Sequence, residues 1–242
     1  MLVDRAGPGR RGAPGRAPAG PGTQGRPGGR GRATLTTVSD SLDLGLFPLD
    51  LVLLPGERVP LHLFEPRYRQ LYADCTLEDT PFVVLQTGPT GTAEVGCSAR
   101  FETLVRRFDD GRLNVLVQGI APVRLIEETE GRLYFSALVE PLEDDPAAPP
   151  AELVADVLTR FRALAGLGES EMPEAPEGAP LSYAMAGAFD LPATAKQELL
   201  ESRDEGERLA MVAGLLATVD KETEHARMAA QRASTNGKVS TP

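Results

Sequence analysis

Residues 94–118 read EVGCSARFETLVRRFDDGRLNVLVQ, in which two runs rich in apolar residues flank Asp109-Asp110-Gly111. Glycine at the end of that triplet tolerates the positive φ that a hairpin turn demands. The stretch therefore predicts a β-hairpin in which Glu94 to Phe108 pairs with Arg112 to Gln118.

Further short strands are predicted on both sides of this hairpin. Phe82 to Leu85 form one apolar run, and the runs Val123 to Glu127 and Leu133 to Glu140 are joined through Glu130-Gly131. Several strands at such close spacing are typical of a closed or nearly closed barrel. We therefore predict a β-barrel module over residues 41–143.

After Pro141 the sequence changes to an acidic connector rich in proline and then to apolar residues at helical spacing. Leu153, Val157 and Phe161 predict one helix, and Gly166 is expected to end it. The proline and acidic residues of the connector therefore mark the change from strands to helices.

Two more helices are predicted further along the chain. Pro192 to Leu200 form one of them, and Ser202 with Glu205 matches a capping box at the start of the next. We predict a helical subdomain over residues 144–228 and a disordered tail over residues 229–242. The fold class is therefore predicted to be α+β.

The beginning of the chain has a different composition. Residues 1–32 hold ten Gly, five Pro and seven Arg, so they have little apolar surface to offset the entropy of ordering. We predict a disordered arm over residues 1–40. The arm lacks the apolar segment of a secretory signal, and the chain has only two Cys, so we expect a cytoplasmic protein.

The folded part is predicted to be strongly acidic. The arm holds seven of the 25 Lys and Arg residues but only two of the 35 Asp and Glu residues. An acidic surface repels the phosphate backbone, so we do not expect nucleic acid to be a partner. The longest apolar run, Leu51 to Leu54, is far shorter than the roughly 20 residues that span a bilayer, so no membrane segment is expected.

Four segments in a fixed order resemble a known family. Residues 46–75 read LFPLDLVLLPGERVPLHLFEPRYRQLYADC and are followed by VGCSARFE, DGRLNVLVQGIAPVRLIEE and KQELLESRDEGERLAMVAGLL. Over residues 44–220 the chain resembles the N-terminal substrate-binding domain of the Lon protease family. The resemblance implies a PUA-like β-barrel followed by a helical bundle, and the binding of unfolded or apolar polypeptide segments.

The resemblance does not extend to the enzymatic modules of Lon proteases. None of Lys196, Lys221 and Lys238 lies in a nucleophile context, and the first two are expected to be surface charges. We predict a stand-alone, non-enzymatic member that lacks the ATPase and peptidase modules. Its predicted role is that of an adaptor or regulator working with a separate ATP-dependent protease, and its oligomeric state is left open.

The apolar run before Pro55 has two interpretations. In a strand, alternation buries only every other side chain, so some of Leu51 to Leu54 would face outward. The run packs against the helical module in the first interpretation. In the second, which the family resemblance supports, it is an exposed patch whose polypeptide contacts are Leu53, Leu54 and Pro55.

The FEPRYR segment is predicted to form a strand-to-helix corner. Pro66 opens a helix, and Glu65 stands at its positive end with Arg67 or Arg100 as an ion-pair partner. We interpret Glu65, Arg67, Tyr68 and Arg100 as a structural signature, with a ligand-binding cluster as the alternative.

No cofactor or metal site is predicted. Cys75 and Cys97 are distant in the chain, and so are the two His residues, so no metal-ligand spacing occurs. Both thiols are expected to be buried, and their pairing is left open. The acidic pair Asp144-Asp145 is interpreted as solvated charge rather than as an acid–base couple.

Two other functions are weighed against polypeptide binding. A small-molecule or RNA-binding PUA-like module is the first alternative, and a cryptic hydrolase is the second. The acidic composition disfavours RNA, and the lack of a nucleophile constellation disfavours hydrolysis. A basic stripe on the folded surface would favour RNA, whereas a deep polar pocket would favour a metabolite or catalysis.

Overall fold

The computed structural model describes residues 41–88, 91–168, 171 and 179–236, with the backbone alone for residues 222–224, 226–227 and 229–236. The predicted arm over residues 1–40 and the end of the predicted tail, residues 237–242, lie outside the described residues.

Strands dominate the first part of the described chain. Helix α1 (Pro66–Glu78) lies between the second and third of them. The strands are β1 (Leu42–Leu49), β2 (Arg58–Leu63), β3 (Phe82–Gly88), β4 (Gly91–Thr92), β5 (Val95–Arg107), β6 (Leu113–Thr129) and β7 (Ser136–Pro141). The predicted hairpin is confirmed, since β5 pairs with β6 around Gly111, whose φ is 84°.

The strands form one sheet in which the pairing follows a circuit. β1 pairs with β7, β7 with β6, β6 with β5 and β5 with β3, all antiparallel, and β3 pairs in parallel with β1. β2 pairs with β6 outside this circuit, and the short β4 pairs with β3. The predicted combination of strands and helices is therefore confirmed, and the sheet is largely antiparallel.

β6 is one strand of 17 residues, whereas the sequence predicts two strands separated by residues 119–122. Its first half, Leu113 to Gln118, lies between β2 and β5. Its second half, Val123 to Thr129, pairs with β7, and β5 runs along its other edge as far as Arg124. The continuity of β6 depends on partner strands from distant parts of the chain, so no local signal reports it.

Four helices follow the strands: α2 (Ala151–Ala165), α3 (Leu181–Ala186), α4 (Ala193–Glu201) and α5 (Glu205–Asn236). α2 and α4 agree with predicted helices, and Gly166 ends α2 with a φ of 69°. α3 was not predicted, and the tail predicted to be disordered from residue 229 is helical up to Asn236. Among the described residues, none of the helices combines the length and apolar character that crossing a bilayer requires.

The start of α5 differs from the predicted capping box. The N–H of Glu207 donates to Oδ1 of Asp204 at 2.9 Å, so Asp204 caps the helix. Glu205 instead accepts a hydrogen bond of 2.7 Å from Arg208, whose side chain is fully buried. Arg208 also donates to Oδ1 of Asp144 at 2.8 Å. The interpretation of Asp144 as solvated charge is therefore wrong, because it neutralises a buried guanidinium.

One hydrophobic core joins the strands to the helices. Phe82 and Val115 from the strands belong to the same buried cluster as Phe161, Leu199 and Val212 from the helices. The regions predicted as a barrel module and a helical subdomain therefore share a core.

An ion pair also crosses from the strands to the helices. Nζ of Lys196 on α4 lies 2.5 Å from Oε1 of Glu57, in the loop before β2. The interpretation of Lys196 as a surface charge is wrong, because that loop brings a carboxylate to a largely buried site. Lys221 is exposed, as predicted.

Candidate functional site

Leu53, Leu54 and Pro55, the predicted polypeptide contacts, are buried in this structure. The exposed fractions of Leu53 and Leu54 are 2% and 0%, and Pro55 is buried as well. The expectation of outward-facing side chains assumed a strand, but residues 50–57 form a loop between β1 and β2. A loop does not alternate its side chains between two faces. The expectation that these residues form an exposed patch is therefore wrong.

The loop is held against β6 at Gly119. The N–H of Gly56 donates to the Gly119 carbonyl at 2.9 Å, and the N–H of Gly119 donates to the Glu57 carbonyl at 3.0 Å. A Cβ at Gly119 would clash with the carbonyl oxygen of Leu54. Because of this close approach, the apolar side chains of the loop point into the core that the strands and helices share. This agrees with the interpretation in which the run packs against the helical module.

Glu65, Arg67 and Tyr68 meet at the start of α1. Nη2 of Arg67 lies 2.8 Å from Oε2 of Glu65, and the Arg67 guanidinium lies over the rings of Tyr68 and Phe135, 4.6 and 5.1 Å from their centres. Tyr68 stacks on Phe47 with ring centres 4.1 Å apart, and burial raises the pKa of its hydroxyl. These contacts agree with a structural corner, and a ligand role for the cluster stays a prediction.

Arg100 does not provide the second predicted partner for Glu65. Its Nη2 donates to Oε1 of Gln118 at 2.6 Å, across a pair of facing residues on β5 and β6. Of the two predicted partners of Glu65, the structure pairs Arg67 with it.

The two Cys residues and His62 take structural positions. Cys75 and Cys97 are buried free thiols, and burial raises the pKa of Cys75 to about 11 and that of Cys97 to about 12. Nδ1 of His62 lies 2.6 Å from Oδ1 of Asn114. Within the part of the chain that the structure describes, no group of three or more His, Cys, Asp or Glu residues could hold a metal ion.

An open cleft of about 720 Å³ lies between α1 and the tip of the β5–β6 hairpin. α1 buries one face against the core through Tyr68, Leu71 and Cys75, and its neighbouring face lines the cleft. Residues that line it include Arg69, Tyr72, Ala73 and Leu77 from α1 and Arg107 and Leu113 from the hairpin.

The cleft offers apolar surface to solvent. Leu77 exposes 86% of its surface, more than the other large apolar side chains that are exposed in the described residues. The ring of Tyr72 packs edge-on against Phe101 of β5, with ring centres 5.0 Å apart, which holds α1 beside the hairpin. Exposed apolar surface in a concave site is typical of a binding surface.

Arg69 connects the helix to the turn of the hairpin. Its Nη1 donates to the carbonyl of Asp110 at 3.3 Å. A Cβ at Gly111 would clash with the Arg69 guanidinium, and the φ of Gly111 lies in the left-handed region. Glycine at this position therefore allows both the turn and the approach of Arg69.

β5 has an open edge next to the cleft. β3 pairs with β5 only from Cys97 to Ala99, whereas β6 pairs with it as far as Arg107. From Arg100 to Arg107, the second edge of β5 has no strand partner among the described residues. Because Arg107 lines the cleft, this free edge ends at the cleft. An unpaired strand edge can accept an extended peptide as a further strand.

The cleft is not predicted from the sequence. Arg69, Ala73 and Leu77 follow each other at intervals of four, which predicts that they share one helix face. Nothing local in the sequence indicates that this face lies opposite Arg107, since that placement depends on how α1 packs against the hairpin.

Comparisons with known proteins agree with this fold. A family model for the ATP-dependent protease La (LON) substrate-binding domain matches residues 43–218. The crystal structure of a Lon N-terminal domain protein from Xanthomonas campestris is similar, with 26% identity and a TM-score of 0.55, covering 72% of this chain and 98% of that one. The N-terminal domain of Mycobacterium avium complex Lon protease has the same fold at 17% identity and a TM-score of 0.53, covering 73% of this chain and 98% of that one.

The family match covers well over half of the chain, and it includes the strands, the cleft and the helices as far as the middle of α5. This protein therefore belongs to the LON substrate-binding domain family.

Proposed function

We propose that this chain is a non-enzymatic polypeptide-binding protein that holds unfolded or apolar segments in the cleft between α1 and the β5–β6 hairpin. The observation that carries the proposal is the exposed apolar surface of Leu77 in an open cleft next to a free strand edge. The matching family is that of a substrate-binding domain rather than of a peptidase, which supports binding without cleavage.

The geometry suits an extended segment. Backbone groups of the segment can pair with the free edge of β5, which supplies affinity for any sequence, while an apolar side chain packs beside Leu77 and Tyr72. Burial of a leucine-sized side chain at such a site contributes about 1.5–3 kcal/mol. This combination favours unfolded chains, because folded proteins keep their apolar side chains and backbone groups internally paired.

We propose that the chain acts in the cytoplasm as an adaptor or regulator that presents such segments to a separate ATP-dependent protease. The closed circuit of strands corresponds, in this proposal, to the PUA-like barrel of the family, with α2–α5 as its helical bundle.

The test measures binding of the full chain to fluorescently labelled α-lactalbumin by fluorescence anisotropy. The α-lactalbumin is reduced and its thiols are carbamidomethylated, so that it stays unfolded. Leu77→Ser removes the apolar contact without adding charge, and we expect it to weaken binding about tenfold. Leu133→Ser is the matched control, because Leu133 exposes 77% of its surface but does not line the cleft.

The proposal requires that the control binds like the wild type. If Leu77→Ser and Leu133→Ser bind the unfolded protein with equal affinity, the site lies elsewhere. If the wild type does not bind it, the polypeptide-binding function is contradicted. Binding of a single-stranded RNA oligonucleotide with no binding of the unfolded protein would support the alternative RNA-binding module.

A further inference from the structure

The cleft between α1 and the β5–β6 hairpin carries the opposite charge to the chain as a whole. The chain has a formal net charge of −10 and 35 Asp and Glu residues. Among the described residues that line the cleft, Arg69 and Arg107 are the charged ones and none is Asp or Glu. A cleft lined by one sign of charge attracts ligands of the opposite sign.

Arg69 is positioned by the hairpin and makes no ion pair with it in the described residues. The contact between Arg69 and Asp110 is to the backbone carbonyl, and Nε of Arg69 is buried without a hydrogen-bond partner in the described residues. The carboxylate of Asp110 pairs instead with Arg112, at 2.7 Å. The pKa of Asp110 is held below its usual value, chiefly by the backbone N–H of Arg112. The charge of Arg69 also contributes to this lower pKa of Asp110, so the two charges partly compensate each other. No carboxylate of the described residues binds the Arg69 guanidinium directly, so it can still bind a carboxylate of a ligand.

Arg107 is also available, unlike the arginines beside it. Its side chain forms no hydrogen bond or ion pair with the part of the chain that the structure describes. Arg106, the preceding residue, lies over the ring of Phe108 at 4.5 Å, and Arg112 both pairs with Asp110 and lies over the same ring at 5.3 Å. Arg106 and Arg112 have partners within the protein, whereas Arg107 lines the cleft without one in the described residues.

We propose that the cleft selects polypeptide segments that carry side-chain carboxylates next to apolar residues. This inference rests on the proposed polypeptide-binding function and adds a substrate class to it. The carboxylates pair with Arg69 and Arg107, since guanidinium groups bind carboxylates in charge-assisted hydrogen bonds. The apolar residues pack against Leu77 and Tyr72.

Charge complementarity favours an acidic peptide over a nucleic acid. Both carry groups that arginine binds, but a nucleic acid brings a continuous row of phosphates. Outside the cleft, the strongly acidic chain repels such a row. A segment with few carboxylates meets only the two arginines of the cleft.

The probes are two rhodamine-labelled, end-blocked peptides in which Leu alternates with Glu or with Gln. The blocked ends leave the Glu side chains as the only difference in charge. We expect the full-length wild type to bind the Glu peptide about tenfold more tightly than the Gln peptide. Added salt should weaken only the binding of the Glu peptide.

Arg107→Gln and Arg106→Gln form a matched pair of variants. They remove the same charge from adjacent residues of β5, and only Arg107 lines the cleft. We expect Arg107→Gln to lose most of the preference for Glu and Arg106→Gln to keep it. Arg107 has no side-chain partner within the described residues, so its replacement should leave the fold unchanged, which circular dichroism checks.

The outcomes distinguish a failure of carboxylate selection from a failure of polypeptide binding. Equal binding of the Glu and Gln peptides, both weakened by Leu77→Ser, would overturn the selection of carboxylates and keep polypeptide binding in the cleft. Equal effects of Arg107→Gln and Arg106→Gln would likewise overturn it. If neither peptide binds the wild type, the selection of carboxylates and the polypeptide-binding function both fail. Binding of a single-stranded RNA oligonucleotide that only Arg107→Gln abolishes would assign the cleft to nucleic acid.

Discussion

Nζ of Lys196 lies 2.5 Å from Oε1 of Glu57, and the two side chains are only 12% and 13% exposed. The second carboxylate oxygen of Glu57 accepts the N–H of Leu54 at 3.0 Å. One carboxylate thus joins helix α4 to the loop that carries the buried apolar run.

Lys196→Met should therefore destabilise the protein, because it leaves the Glu57 carboxylate largely buried without its counter-charge. We expect the free energy of unfolding in urea to fall by about 3 kcal/mol. Arg160→Met is the control, since its ion pair with Asp156 is exposed and contributes less than about 1 kcal/mol. Equal losses of unfolding free energy in the two variants would show that the buried pair stabilises the protein no more than the exposed pair.

Arg208→Met should have a larger effect in the helical region. The buried guanidinium donates to Ser182 at 3.0 Å as well as to Asp144 and Glu205. Its removal leaves the Glu205 carboxylate without a cation and Asp144 with only Arg203, whose Nη1 lies 3.7 Å from Oδ1 of Asp144. We expect a loss of about 3–5 kcal/mol. Urea unfolding measures the loss, and Arg124→Met, in an exposed pair with Glu140, should be close to neutral. A small loss for Arg208→Met would mean that water replaces the guanidinium.

Gly119→Ala should destabilise the contact between β6 and the loop over residues 50–57. The added methyl group would overlap the carbonyl oxygen of Leu54, which is backbone and cannot rotate away. We expect a loss of about 2–3 kcal/mol in unfolding free energy. Gly88→Ala has open space around its Cβ and should be neutral within about 0.5 kcal/mol. A neutral Gly119→Ala would show that the loop can shift away from β6.

Gly111→Ala and Gly131→Ala should separate backbone strain from an effect on the cleft. Both glycines have positive φ, so each substitution should cost about 1 kcal/mol in stability. Only at Gly111 would the new Cβ meet Arg69, since the space around Gly131 is open. We therefore expect Gly111→Ala alone to weaken binding of the Glu peptide, by about threefold. Equal affinities in the two variants would show that Arg69 does not contribute to the site.

The buried thiol of Cys97 should make the protein sensitive to alkaline pH. Burial raises its pKa from 9.0 to about 12 in the fold, so the folded state keeps a proton that the unfolded state loses. The stability from this difference is present below pH 9 and is lost as the pH rises from 9 towards 12. Between about pH 8 and about pH 10, the wild type should lose about 1 kcal/mol more than Cys97→Ala. Urea titrations at both pH values measure the two losses, and equal losses would contradict the prediction.

Local chemistry explains the parts of the fold that were predicted correctly. The β5–β6 hairpin depends on Gly111 in its turn, and the end of α2 depends on Gly166. Each of these signals lies within a few residues of the structure that it causes, so sequence alone reports it. The same holds for the family, because its motifs follow in order along the chain.

Three of the corrections involve partners from distant parts of the chain. The burial of Leu53 and Leu54 depends on Gly119 in β6, and the burial of Lys196 depends on Glu57, 139 residues earlier. Arg208 donates a hydrogen bond to Asp144, 64 residues earlier in the chain. A local apolar run or a single charged residue does not indicate whether such a distant partner is present, so its burial cannot be predicted from the local sequence.

The cleft likewise depends partly on local sequence and partly on tertiary packing. Sequence by itself determined that Arg69, Ala73 and Leu77 share a helix face and that a hairpin follows, because helix periodicity and turn chemistry are local. Only the tertiary structure decided that this face lies opposite Arg107, because the packing of Tyr72 against Phe101 and the contact of Arg69 with the hairpin turn set the distance between them.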